Sequence, residues 1–236
     1  MNKTKFLVVA AYSNELNPLC KMGKKDVVAK KDITFLAAGI GPVAAACGLA
    51  RFLTPCRPQM IISIGTAGII NKRLGIGDVV LVKKAGVFSG QRDVYAPQPL
   101  KAICHNPHKA ENTTRADTMQ KLMPKRVEKT FQGFNTTSGV KNQIKNLINA
   151  ESVTVFCPQE ISKSEDKRRL LLKEGYDAEN LEAYAFAHVA GCFKVPIISL
   201  LGLTNSVGPS GHNEWLKNEA RVCAKMAMVV NRMTGA

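Results

Sequence analysis

Apolar runs of strand length recur along the chain, each bounded by glycine, a polar turn or a helical stretch. Residues 5–10 (KFLVVA), 32–37 (DITFLA), 59–64 (QMIISI), 77–82 (GDVVLV), 152–156 (SVTVF) and 195–202 (VPIISLLG) are predicted strands. Several are apolar throughout rather than alternating, the pattern of strands covered on both faces of a sheet. Between them the period lengthens. Residues 43–53 after the Gly39–Pro42 turn, 162–174 with Ser162 or Ser164 as cap, 183–193 and 213–233 are predicted helices. The third strand is expected to stop at Gly65-Thr66-Ala67-Gly68. Residues 84–150 are polar and cut by Pro97, Pro99, Pro107 and Pro124, so loops and short helices are expected there. Strands alternating with helices give an α/β fold. With no internal repeat and no linker, residues 1–236 are taken as one domain.

Composition changes the picture in a few places. No run approaches the roughly 18 apolar residues of a transmembrane helix, so no membrane partner is expected. The start, with two lysines and a short apolar run, mimics a signal peptide, but Asn14 and Glu15 cut that run off and a first strand explains it better. Seven cysteines, odd in number and without a CxxC pair, suggest neither a zinc ribbon nor a disulfide framework, and a reducing cytoplasm is expected.

The formal charge of +15 would suit nucleic acid, an anionic membrane face or acidic small molecules. The basic residues are interleaved with acids, as in SKSEDKRRLLLKEG, and only 6% of residues are aromatic. Stacking platforms for nucleic acid are therefore scarce, and the charge is read as solvated surface.

Candidate chemistry begins with what can be set aside. GIGPVA follows a strand and opens a helix as a dinucleotide fingerprint does, but Ala44 replaces the third glycine and the next strand ends in Gly65-Thr66 without an acid. No nicotinamide cofactor is expected, though the turn's amides can face a ligand or a subunit neighbour. His105 and His108 flank Asn106-Pro107 and read as a polar loop, so no metal is expected. Ser/His/Asp catalysis lacks a GxSxG elbow.

Four polar residues are harder to dismiss. The run SLLGLTNSVGPSGHNEW places Asn205 at the mouth of a buried strand, where turn chemistry and ligand contact are both open readings. Glu15 follows the first strand, and Glu182 interrupts an otherwise apolar helix start, where the helix dipole alone would explain it. With Thr66, these fall at strand ends or strand-proximal helix starts and can converge on one crevice.

The stretches FLVVAAYSNEL, GIGPVAAACGLARFL, IISIGTAGIINKRLGIGDVVLV and DAENLEAYAFAHVAGCFKVPIISLLGLTNSVG resemble the nucleoside phosphorylase and nucleoside hydrolase superfamily. The likeness covers residues 5–83 and 150–235, and the order of the motifs is more specific than any one of them. It implies a three-layer α/β/α sandwich around a mixed, partly closed β-sheet, and cleavage of a ribose–base bond without cofactor or metal. Phosphorylases of the family bind phosphate through arginines. Ser63 stands where one is expected, and AAYSNELN lacks another. Glu15 matches the acid with which nucleosidases activate water.

By the same resemblance Glu182 serves the ribose and Asn205 the purine, while Thr66, Ala67, Gly68, Asn180 and Leu181 bind substrate and Phe156 stacks on the base. Leu181 stands where many relatives have Met, and Asn205 where methylthioadenosine nucleosidases have Asp. The combination of AENLEAYAFA with TNSVG and a following Trp is most similar to the futalosine hydrolases, which release hypoxanthine from futalosine in menaquinone biosynthesis. An Asn amide offers both a donor and an acceptor, which suits the N7 and O6 acceptors of a 6-oxopurine. A small nucleoside as ligand and a homodimer that completes the site are the expected partners, with nucleic acid not expected. The alternatives are a methylthioadenosine/adenosylhomocysteine nucleosidase, a phosphate-dependent phosphorylase, and a non-catalytic nucleoside or nucleic-acid binder.

Overall fold

The computed structural model describes residues 5–23, 25–87 and 150–235. It is a mixed α/β fold with an eight-stranded sheet: β1 (Phe6–Ala10), β2 (Val27–Lys30), β3 (Ile33–Ala37), β4 (Met60–Ile69), β5 (Val79–Gly86), β6 (Ser152–Phe156), β7 (Ala178–Glu179) and β8 (Ile197–Ser206). Among the described residues five helices accompany it: α1 (Ser13–Leu16), α2 (Pro42–Leu53), α3 (Glu165–Lys173), α4 (Ala183–Cys192) and α5 (Gly211–Thr234). The expectations for His105 and His108 lie outside the described residues.

The sheet closes on one side only. Strands β4, β8, β5, β6 and β7 pair in a ring, because β4 bonds both β8 and β7. Strands β1, β3 and β2 extend from β4 as an open wing. Alternation along the buried strands sorts side chains to two faces. Leu7 and Val9 of β1 join Leu49 and Leu53 of α2 and Phe186 and Val189 of α4 in one cluster. Val8 and Ala10 face the other way, with Leu16 of α1 and Cys223, Met226 and Val230 of α5. Helices therefore cover both faces of the sheet in three layers, as expected from the sequence.

Two close approaches are set by glycine. A Cβ on Gly48 of α2 would lie 2.0 Å from the Ala38 carbonyl oxygen, so this helix docks backbone to backbone beyond β3. A Cβ on Gly202 of β8 would lie 2.3 Å from Val222 Cγ1 of α5. In β8 the pairing with β4 slips by one residue. Ala67 faces Leu203, but Gly68 faces Asn205, leaving Thr204 as the extra residue of a bulge.

Two strands run further than the sequence suggested. Thr66, Ala67 and Gly68 lie inside β4 rather than beyond it, and Asn205 belongs to β8 rather than to the following loop. Glycine in a strand marks a place where another group comes close. A Cβ on Gly65 would meet Asn180 Nδ2 at 3.2 Å, and one on Gly68 would meet Val207 Cγ2 at 2.9 Å.

Candidate active site

One edge of β4 changes partner along its length. Met60–Ser63 pair with β1, and Gly68–Ile69 pair with β7. Between these stretches no described strand borders that edge, and its backbone groups need other partners. Side chains supply them. Thr66 N donates to Glu15 Oε1 at 2.9 Å, and Thr66 O accepts from Asn180 Nδ2 at 2.9 Å. The split in the sheet is thus where the acid and the amide are drawn in, at a cavity of about 380 Å³.

Glu15 stands on the single turn α1 directly after β1 and is 3% exposed. Its other oxygen, Oε2, accepts from Ala11 N at 3.2 Å. Burial is the main force on its ionisation and pushes the carboxyl up to about 8, with nearby Glu182 adding to the rise. The two backbone donors oppose that shift without cancelling it.

Glu182 approaches the same cavity from the start of α4. Its Oε1 accepts from Gly41 N at 2.8 Å, so the glycine turn that mimicked a dinucleotide fingerprint serves a carboxylate. Gly41 adopts φ +85°, which a side chain would make unfavourable. Burial holds the Glu182 carboxyl above the usual carboxylate range as well, opposed by the Gly41 amide. Asn180 positions this acid. Its Oδ1 accepts from Glu182 N at 3.0 Å and Ala183 N at 2.8 Å, capping the first turn of α4, while its Nδ2 lies 3.4 Å from Glu182 Oε2.

Asn205 faces the cavity from β8. Thr204 Oγ1 donates to Asn205 Oδ1 at 2.8 Å, which leaves Nδ2 as the outward donor. One of its two protons goes to Ser206 O at 3.1 Å. Ala67, Gly68 and Leu181 also line the cavity.

Phe156 does not. Its ring is buried with Ile70, Leu171 and Val207, tilted against Tyr176 at 5.3 Å, and it is absent from the described lining of the cavity. Apolar burial at the end of β6, beside α3, claims the ring that was expected to stack on a base.

Other lining residues were not anticipated, among them Trp215, Tyr12 and Glu179. Trp215 Nε1 donates to Thr66 Oγ1 at 3.2 Å, and its indole stacks on His212 at 5.8 Å. Tyr12 O–H donates to Glu219 of α5 beside Glu15. Glu179, the last residue of β7, is 6% exposed; Ser162 N donates to its Oε1 at 2.8 Å, while Oε2 has no hydrogen-bond partner among the described residues. Among the described residues no group of His, Cys, Asp or Glu is placed to hold a metal ion, and no helix is long and apolar enough to cross a membrane.

Such an arrangement can hold a polar ring system against one amide and a cationic centre against one acid, with a second acid of raised basicity nearby. Residues 3–234 match the family model described as the phosphorylase superfamily. A 5'-methylthioadenosine/S-adenosylhomocysteine nucleosidase of Haemophilus influenzae (strain PittEE) is 43% identical over 51 residues. That match spans only 22% of this chain and 22% of the relative's own length. A protein of the same description from Glaesserella parasuis serovar 5 (strain SH0165) is 25% identical over 191 residues, 77% of this chain and 71% of the relative. Among solved structures, the futalosine hydrolase of Helicobacter pylori strain 26695 superposes with a TM-score of 0.69 at 16% identity, over 98% of this chain and 97% of that one.

Proposed function

The chain belongs to the phosphorylase superfamily, and on that premise we propose that it hydrolyses the N-glycosidic bond of a purine nucleoside, with futalosine as substrate and hypoxanthine as leaving base. The observation that carries the reading is Glu15. A buried carboxyl lifted to about 8, held by two backbone amides at the split edge of β4, is a far stronger base than an ordinary carboxylate.

In the proposed reaction the bond from ribose C1' to the purine nitrogen lengthens and the sugar acquires oxocarbenium character. Glu15 takes a proton from water, whose oxygen bonds to C1' as the base departs with the bond's electron pair. Glu182 accepts from the ribose hydroxyls and opposes the positive charge on the sugar. The outward Nδ2 of Asn205 donates to the purine, where negative charge gathers on the leaving group. Trp215 and Asn180 hold Thr66, and through it the edge against which Glu15 rests.

Hydrolysis rather than phosphorolysis is supported by Ser63. It is 3% exposed and donates to Ser199 Oγ, and no arginine lines the cavity among the described residues. Both the curated relatives and this fold also support an adenine nucleosidase, and Asn205 favours the 6-oxopurine. Product chromatography on futalosine, methylthioadenosine and inosine, with and without phosphate, tests the reading. Base release from futalosine without phosphate is expected. A requirement for phosphate overturns hydrolysis, and release of adenine alone overturns the substrate.

We further propose a homodimer in a reducing cytoplasm. Ile40 lines the cavity yet is 65% exposed, and Val43 on α2 is 76% exposed, an apolar rim that suits a second copy. Sedimentation of the purified protein as a monomer at micromolar concentration would contradict it.

A further inference from the structure

Asn205 is held through its two chain neighbours, and α5 does the holding. Before it, Thr204 is the extra residue of the bulge, and a bulge leaves such a residue unpaired in the ladder. Asn218 Nδ2 of α5 donates to the Thr204 carbonyl at 3.0 Å. After it, Ser206 N donates to Glu214 Oε2 at 2.7 Å, and Ser210 Oγ fixes that carboxylate by donating to Oε1 at 2.8 Å. Glu214 and Asn218 stand four residues apart, on one face of the helix. The helix thus gives a donor to the residue before Asn205 and an acceptor to the residue after it.

Asn218 has no freedom to turn. Its Nδ2 also donates to Glu214 O at 2.8 Å, and Arg221 Nη2 donates to its Oδ1 at 3.3 Å. Reversing the amide would set donor against donor and acceptor against acceptor. The first residue of α5 comes closer still. A Cβ on Gly211 would lie 2.9 Å from Ser206 O, which accepts from Asn205 Nδ2, and 3.1 Å from that Nδ2. A side chain there would collide with both ends of one hydrogen bond. Glu214 and Asn218 are absent from the described lining of the cavity, so their reach into it runs through Asn205.

Resting on the nucleosidase reading, we infer that Asn218, together with Glu214 and Gly211, is a positioning residue that orients the amide of Asn205 toward the leaving base. Strand β8 carries Asn205 to the cavity, and the first two turns of α5 set the direction of its donor. Charge on the leaving group is greatest in the transition state, so a turned donor slows the chemical step more than it weakens binding.

A double-mutant cycle separates orientation of Asn205 from general support of the fold. Asn218→Leu keeps the size of the side chain and removes its polar groups. It is combined with Asn205→Ala, and the four proteins are compared in single turnovers with enzyme in excess. The substrate is whichever of futalosine, methylthioadenosine and inosine the parent hydrolyses. Asn218→Leu is expected to slow the chemical step at least tenfold in the parent background, and less than twofold where Asn205 is already alanine. Gly211→Ala, taken through the same cycle, should show the same dependence on Asn205, and it keeps the test decisive should Asn218→Leu fail to fold. Equal losses in both backgrounds, or no loss in the parent background, overturn the inference while the nucleosidase reading stands. A parent that hydrolyses none of the three nucleosides overturns that reading and takes this inference with it.

Discussion

The side-chain amide of Asn180 donates to the Thr66 carbonyl at 2.9 Å, and this bond ties the helix start that presents Glu182 to the strand edge that holds Glu15. The same side chain caps α4 through its oxygen. Asn180→Ala should therefore cost about 1 kcal/mol for the cap, a fall in Tm of a few degrees in a chain of this size. The effect on turnover should be larger, a loss of tenfold or more in kcat, because both acids lose a fixed neighbour. Thermal melts and kcat on the same preparation compare the two. Equal modest losses would reduce Asn180 to a cap.

Glu15→Gln keeps the shape of the site and its Thr66 contact but removes the base. Turnover should drop by a factor on the order of 10² or more, with substrate affinity nearly retained. In the parent, kcat/KM should rise with pH, half-maximal near 8 and levelling off above it, since the buried carboxyl must lose its proton before it can accept one from water. A pH–rate profile of the parent that is flat between 6 and 9 would remove Glu15 from the reaction.

Stability should follow the opposite course. The carboxyl of Glu15 is raised from 4.5 to about 8 in the folded protein, so the fold binds a proton that the unfolded chain has released. Its contribution to stability is full below about 4.5 and is lost as pH rises through 8, by at most about 1.4 kcal/mol per pH unit. Glu182 and Glu179 are raised by burial too and act in the same sense. Melting temperatures measured from pH 5 to 8.5 should fall for the parent and fall less steeply for Glu15→Gln. Identical slopes would contradict the burial of Glu15.

Asn205→Asp exchanges the outward donor for an acceptor. The Thr204 hydroxyl can still donate to it, but an ionised carboxylate then faces the acceptors of a 6-oxopurine, at about 1–3 kcal/mol. Activity on inosine should decline relative to adenosine, and the change should lessen toward pH 5 as the new acid protonates. If kcat/KM for the two nucleosides keeps the same ratio across pH 5–8, Asn205 does not contact the base.

Gly48→Ala reverses an ordinary rule. Alanine inside a helix usually gains about 1 kcal/mol over glycine. Here its Cβ would lie 2.0 Å from a backbone oxygen that has no rotamer to yield, so a loss of about 1–3 kcal/mol is expected instead. A thermal melt showing unchanged or higher Tm would mean that α2 slides freely on the sheet.

The apolar strands and the long helices were legible because burial on both faces writes an uninterrupted pattern. The edge strand β2 was not. Val27–Lys30 bury almost nothing, and their pairing with β3 turns on Lys31 in a left-handed conformation, φ +46°. Glu15, Thr66, Asn180, Glu182 and Asn205 were singled out from sequence and line one cavity. The reason they meet was hidden, since the split edge of β4 depends on where β1 and β7 end. Glu179 was not singled out, because a strand of two residues leaves no periodicity. Phe156 misled for the converse reason, as a stacking ring and a core ring look alike in sequence.

The bulge at Thr204 works as a change of parity. Upstream of it, Ile198 and Leu200 point toward α5, while Leu201 and Leu203 point toward α2 and α4. Strict alternation would carry on by sending Thr204 to the cavity and Asn205 into the apolar layer. The extra residue inverts that count, burying Thr204 completely and delivering the amide opposite Gly68. A single-residue deletion at Thr204 would therefore restore plain alternation and leave Asn205 opposite Gly68, while removing the hydroxyl that turns the donor of the amide outward. What the extra residue contributes to this strand is the aim of the asparagine rather than its place.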